Sequence, residues 1–403
     1  MSPLQLHVLG TGTSTCLPIT ACLTLTEPYP PSVQATIPSQ SLGNSWPSNI
    51  PCMSCRSAVD SSVPEGWKNK RGNTSVVLRK NGKTVVVDVG KSFREQASML
   101  FPKWGIKNID AVILTHGHAD AFHGLDDLRE WCVRQGTPIP IFLNRPTYDT
   151  VAKAFPYLVD VTQASGGGDV PSLEWHIIED DAAFVIHDIH VQSLPVHHGV
   201  YFTPPNATPT DSPHPLICLG FAFDHDIVYI SDVSSIPAST WDLILSPPTS
   251  SATVYPTMPH HSLPTPARTP PPTSHPLPPK ILIIDALWPI RTHASHINFP
   301  QALEIAMRIK PQITYLIGFS HPTTHYMWEK LGRSVAGRGE DKSSPSHPDE
   351  KHALELVEKV WADEQFTRDG LDARLREWKG RVEPGWDGLV VEVDEKGWRE
   401  GGH

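Results

Sequence analysis

The stretch Leu114-Thr115-His116-Gly117-His118-Ala119-Asp120 constrains this chain more than any other. The apolar run from Ala111 to Leu114 reads as a buried strand. It ends at a turn that carries two histidines and a carboxylate. Imidazoles at i and i+2 with an aspartate at i+4 converge on one cation only from a turn or strand end, because on a helix they would splay apart. Two neutral imidazoles and a carboxylate suit zinc, manganese or iron, with an open position for an activated water. The competing reading is a polar loop that merely contains histidines, in a chain with 21 of them. The order of strand, histidine turn, then Gly124-Leu125-Asp126-Asp127-Leu128-Arg129 opening a helix favours the metal.

Composition bounds the rest. A chain of 403 residues readily buries a core. Its 41 prolines are too many for a compact fold throughout, so part of the length is expected to be irregular. A net charge of −10 argues against a nucleic-acid surface. No apolar run approaches the ~20 residues of a membrane span. The N-terminus enters a strand, Leu4 to Leu9, without a secretory signal pattern. The expected setting is therefore the cytosol, with the nucleus also open. Six cysteines in such a chain, with Cys52 and Cys55 as a Cys-x-x-Cys, read as metal ligands rather than disulfides.

We expect a single domain over 1–403 with three irregular segments. These are a Pro/Ser-rich loop insert at 27–51, a disordered or polyproline insert at 246–279, and a polar linker at 332–352. Strands are expected at Gln5–Leu9, Val76–Leu78, Thr84–Val87, Pro138–Leu143, Ile189–Leu194, Cys218–Phe223, Ile227–Ile230, Lys280–Ile284 and Ile313–Ile317. Helices are expected at Ser92–Phe101 and Phe299–Ile309, and a further one opens with Leu354, Val357 and Trp361. Gly10-Thr11-Gly12 alone is an ordinary tight turn. His197 and His198 are adjacent on a strand, so they face opposite ways unless a bulge intervenes. Arg71 reads equally as a contact to an anionic substrate or as a solvated side chain. Cys132 and Cys218 fall in apolar segments and read as core.

The histidine turn resembles the His-x-His-x-Asp-His signature of the metallo-β-lactamase superfamily. More closely, the chain is similar to that superfamily's phosphoribosyl cyclic-phosphate phosphodiesterases, and more distantly to the tRNA 3′-processing endonucleases. The resemblance runs from Leu9-Gly10-Thr11-Gly12-Thr13 to Asp387-Gly388 outside the proline-rich inserts. It implies an αββα four-layer sandwich of two mixed sheets with helices outside. It also implies a site. His116, His118 and Asp120 come from the turn, and His198 follows from the register Leu-Pro-x-x-His. Asp232 of Ser231-Asp232-Val233-Ser234 bridges two metals, and Asp88 of Asp88-Val89-Gly90 supports the turn. His296 is a catalytic or phosphate-orienting histidine, with His293 its local competitor. Cys22, Cys52, Cys55 and His321 would hold a structural zinc, with Cys16 the rival of Cys22.

Two second-metal ligands of that pattern are absent, since Ala121 and Gly318 stand where histidines are expected. His123, Asp126, Asp127 and His325 are the candidate substitutes, and one or two catalytic ions of Zn2+ or Mn2+ both remain open. The implied activity is hydrolysis of a small phosphodiester, with a cyclic one left open, by a metal-activated hydroxide, with Asp120 handling the water and His296 the leaving oxygen. Ester or thioester hydrolysis, RNA 3′-processing and a degenerate metal-binding module are the alternatives. The expected partner is a small-molecule substrate, with neither nucleic acid nor membrane, and a homodimer is left open.

Overall fold

The computed structural model describes residues 2–24, 52–202, 214–245, 253–254, 278–335, 347–367, 370–378 and 380–401. Two eight-stranded sheets carry the architecture. The first runs, edge to edge, Gly397–Glu400, Val390–Asp394, Leu4–Gly10, Ser75–Lys80, Lys83–Val87, Ala111–Ile113, Ile139–Leu143 and Leu173–Ile177. Its first five strands pair antiparallel and the rest parallel. The second runs Thr253–Val254, Ala183–Ile186, Ile189–Val200, Pro215–Phe223, Ile227–Ile230, Ile281–Asp285, Ile313–Ile317 and Arg381–Pro384, again mixed.

Strand sequences explain why four layers form. Val76-Val77-Leu78 and Val85-Val86-Val87 lack polar alternation, as strands buried on both faces do. Val76, Leu78, Val85 and Val87 point into the core between the sheets, whereas Val77 and Val86 pack under outer helices. The second sheet repeats this: Ile281 and Ile283 face the first sheet, and Leu282 and Ile284 face the helix Phe299–Ile309 on the other side. That helix starts with a capping box, in which Asn298 accepts from the Gln301 N–H and Gln301 accepts from Asn298. A period of two with both sides apolar therefore demands helices on both exteriors.

Three local expectations change. Thr253–Val254, inside the insert expected at 246–279, forms a short strand parallel to Ala183–Ile186. The linker expected at 332–352 is partly helical, because His325–Val335 runs into it and Glu350–Trp361 begins within it. In that last helix Ala353, Leu356 and Val360 face the core and Leu354 faces solvent, one position off the expected stripe. The insert expected at 27–51 lies outside the described residues. Among the described residues no helix is long and apolar enough to cross a membrane.

Candidate metal centre and paired histidine

The site forms where ends of strands from both sheets meet. Leu114 follows the strand Ala111–Ile113, and the Leu219 N–H of the second sheet donates to the Thr115 carbonyl at 2.9 Å, joining the histidine turn to the opposite sheet. On the other side, Asp88 adopts a left-handed φ of 64° after its strand. Its carboxylate accepts from the Thr115 N–H and hydroxyl, both at 2.8 Å. Two residues on, Gly90 lies so near the Asp120 carbonyl that a Cβ there would sit 1.8 Å from it. The turn is thus clamped from both flanks.

These bonds fix a tautomer. The Thr115 hydroxyl donates to Asp88, so it can only accept from His116 Nδ1, 2.8 Å away. His116 Nε2 then carries a lone pair, and it is buried without a hydrogen-bond partner. Burial pulls the His116 pKa down to about 3, which keeps the ring neutral, the form that ligates metals. The His198 Nδ1–H likewise donates to the Ser295 carbonyl at 2.8 Å, freeing its Nε2. The rings of His116, His118 and His198 lie with centroids 4.6, 5.2 and 5.1 Å apart. Their nitrogens are close enough to share one ion, and Asp232 groups with His198 and His296. Burial opposes ionisation of Asp232, but His198, His116 and His296 draw its carboxyl down to about 2. The orphaned His116 nitrogen beside two more imidazoles and an ionised carboxylate fits zinc chemistry.

His198 enters the site through a bulge. Its strand pairs His197 with Ile217 and then Val200 with Pro215, an extra residue on one side. Even so, His197 turns away to Ser235, 3.1 Å from its hydroxyl. His296 sits 4.9 Å from the His198 ring and donates from Nδ1 to Asp285 at 2.8 Å. Burial works against its charge, but Asp285 and then Asp232 outweigh it and raise the His296 pKa to about 9. His293 touches the His296 ring at 5.3 Å but stays exposed. Asp120 lies in the first turn of the short helix Ala119–Phe122, and burial with the nearby Asp232 charge pushes its carboxyl up to about 6. It falls outside the tightly spaced donor groups.

The substitute ligands expected for a second ion are not brought to this centre. Leu125 and Leu128 are buried in a 3-10 turn, which swings the intervening Asp126 and Asp127 outward. Asp126 pairs with Arg129 at 2.8 Å and accepts from Tyr157 at 3.0 Å. Asp127 is nearest in charge to Arg94 and Asp126. His123 packs on Phe122 and Phe155 at the surface. His325 is buried beside Arg71, 3.1 Å away, and Trp386. Arg71 is not a solvated side chain. It is 2 % exposed and donates to Thr11 and the Gly385 carbonyl.

Position 318 has no room for the histidine that the family pattern expects there. Gly318 has a φ of +74°, and a Cβ there would lie 2.3 Å from Asp285 Oδ1. The carboxylate that holds His296 occupies the space a side chain would need. Sequence reasoning gave Asp285, the residue after the strand expected at Lys280–Ile284, no role, and read Cys218 as core. Cys218 is fully buried 3.7 Å from His116 Nδ1, in a group with Asp232. The signal was available only through register, because Cys218 lies opposite Val196, two residues before His198.

A second centre forms 299 residues apart in sequence. Cys22, Cys52, Cys55 and His321 converge, with the Cys22 and Cys52 sulfurs 3.2 and 3.4 Å from His321 Nδ1. Cys16 is not part of this group. Hydrogen bonds from Cys22 and Cys55 pull the Cys52 thiol well down, while the Cys52 bond pushes Cys22 up to about 12. Three buried sulfurs cannot all ionise together without a cation, and Cys3His is a closed tetrahedral set that suits structural zinc.

Comparison with known proteins agrees with this geometry. The model of the β-lactamase superfamily domain matches residues 83–319, more than half of the chain. An octanoyltransferase of Porphyromonas gingivalis is 31% identical over 159 residues, covering 39% of this chain and 30% of that protein. A ribonuclease Z of Clostridium acetobutylicum is 28% identical over 154 residues, covering 36% and 46%. The chain spans less than half the length of either relative. A diphosphatase of the PhnP family has a similar fold, with a TM-score of 0.55 at 21% identity over 97% of this chain and 98% of that one. With the two-sheet sandwich and the match over residues 83–319, the chain belongs to the β-lactamase superfamily, whose members are metal-dependent hydrolases.

Proposed function

We propose that this chain is a phosphodiesterase that hydrolyses a small phosphodiester. The observation that carries the reading is the His296–Asp285 pair, set 3.8 Å from Asp232 and against the ring of His198. His116, His118, His198 and Asp232 would hold the ion, which supplies Lewis acidity and a water of near-neutral pKa.

The chain's own groups then divide the work. Asp120 orients the attacking water and takes its proton. Asp285 fixes His296 with Nδ1 protonated, and with the pKa raised to about 9 the ring also carries a proton on Nε2 to donate. His296 stabilises charge gathering on the phosphoryl oxygens and protonates the leaving oxygen. A thioester or lactam offers one developing oxyanion, whereas a phosphodiester offers several oxygens, which suits a charged donor opposite the cation.

Purified protein should hydrolyse bis-p-nitrophenyl phosphate and leave a thioester and a lactam intact, and His296→Gln should lose most of that rate with its metal content retained. Preference for the thioester or lactam would overturn the reading. The partial match to ribonuclease Z favours RNA 3′-processing as a second reading. It requires binding that weakens steeply with salt, against a net charge of −10.

A further inference from the structure

A cavity of about 310 Å3 opens along the segment Trp288–Arg291, which leads into the loop that carries His296. Trp288, Ile290, Pro322 and Leu356 give it apolar walls, with Arg291 and Lys359 bringing two cations. The Arg291 guanidinium sits 4.4 Å over the Trp288 indole, making a flat, cationic wall. Glu355 and Asp363 place carboxylates on the lining, and each can accept from an amino group. The loop joins this cavity to the reaction centre ring by ring. Trp288 meets His293 at 5.5 Å, His293 meets His296 at 5.3 Å, and His296 meets His198 at 4.9 Å.

We propose that the cavity is the subsite for a nucleobase, and that the substrate is a phosphodiester of a nucleoside. The assignment rests on the phosphodiesterase reading above for its chemistry, but not for its geometry. The volume is of the size that small-molecule sites use and exceeds what a base alone needs. Indole and guanidinium planes are the surfaces on which bases stack. Carboxylates match exocyclic amino groups, and Arg291 and Lys359 match phosphate or its flanking oxygens.

The test is binding, read by calorimetry and by tryptophan fluorescence, with adenosine and AMP as probes on the metal-loaded full chain. Wild type binds both, and AMP more tightly. Trp288→Leu weakens both about tenfold, in keeping with loss of a stacking partner. Arg291→Gln, an exposed site that does not threaten the fold, removes the advantage of AMP over adenosine. Thermal unfolding of each variant confirms that it is folded. Adenosine affinity within twofold of wild type in folded Trp288→Leu, or no adenosine binding at millimolar concentration, overturns the subsite. If both probes bind as stated but bis-p-nitrophenyl phosphate is not hydrolysed, the phosphodiesterase reading fails and the substrate assignment falls with it, while hydrolysis without adenosine binding overturns the subsite alone.

Discussion

Replacing Thr115 with valine keeps the shape of the side chain and deletes the one hydroxyl that joins Asp88 to His116. In the structure that hydroxyl donates 2.8 Å to Asp88 Oδ2 and accepts from His116 Nδ1 at 2.8 Å. Both neighbours are buried, so neither can turn to water instead. Leaving a buried polar group unsatisfied costs about 1–3 kcal/mol, and two such groups put the loss of stability at about 2–6 kcal/mol. The metal consequence is separate. His116 would lose the acceptor that sets its tautomer, and a broken outer hydrogen bond lowers metal affinity about 10- to 100-fold. Competition with a chelator measures the affinity, and the Cys3His centre serves as an internal control in the same molecule. The account requires a loss confined to the histidine centre, with Thr115→Ser restoring it. A Thr115→Val protein whose histidine-centre affinity stays within twofold of wild type would refute the relay.

Further outcomes follow from single contacts. His7 is buried against Trp104, and burial with the Arg79 charge lowers its pKa to about 4. Its folded-state value lies below the unfolded 6.5, so the unfolded chain takes up the proton first. Stability from this residue is complete above pH 6.5 and is lost as pH falls toward 4, by about 3 kcal/mol at most; urea unfolding of His7→Leu at pH 7 and 4.5 should show a shallower acid loss than wild type. Gly318→His should recruit no additional ion and should lower the melting temperature, because its Cβ would meet Asp285 and its φ is +74°; an added ion with unchanged stability would count against the steric explanation. Arg71→Lys should destabilise by roughly 1–3 kcal/mol through its lost bonds to Thr11 and Gly385, with KM unchanged; a raised KM at full stability would return Arg71 to the substrate.

Much of the architecture was legible because its strands are apolar on both faces. Val76-Val77-Leu78 and the run Ile281 to Ile284 can be satisfied only between two layers. The histidine turn was legible because its spacing has one sensible geometry. What escaped depends on contacts between distant segments. Asp285 pairs with His296 across a loop, Cys218 reaches His116 through strand register, and Arg71 is folded under Gly385. None of these leaves a local period. The acidic pair Asp126 and Asp127 misled for a related reason: residue type suggested ligands, but the direction of a 3-10 turn set by Leu125 and Leu128 sent them outward.

Metal stoichiometry by mass spectrometry on wild type and His116→Ala tests the central claim most directly. The account expects at least two ions per chain in wild type, one of them in the cysteine centre, and the loss of the histidine-bound ion alone in the variant, with its circular dichroism unchanged. A single ion in both proteins, or an unchanged count in a folded His116→Ala, would show that the three imidazoles do not hold a cation.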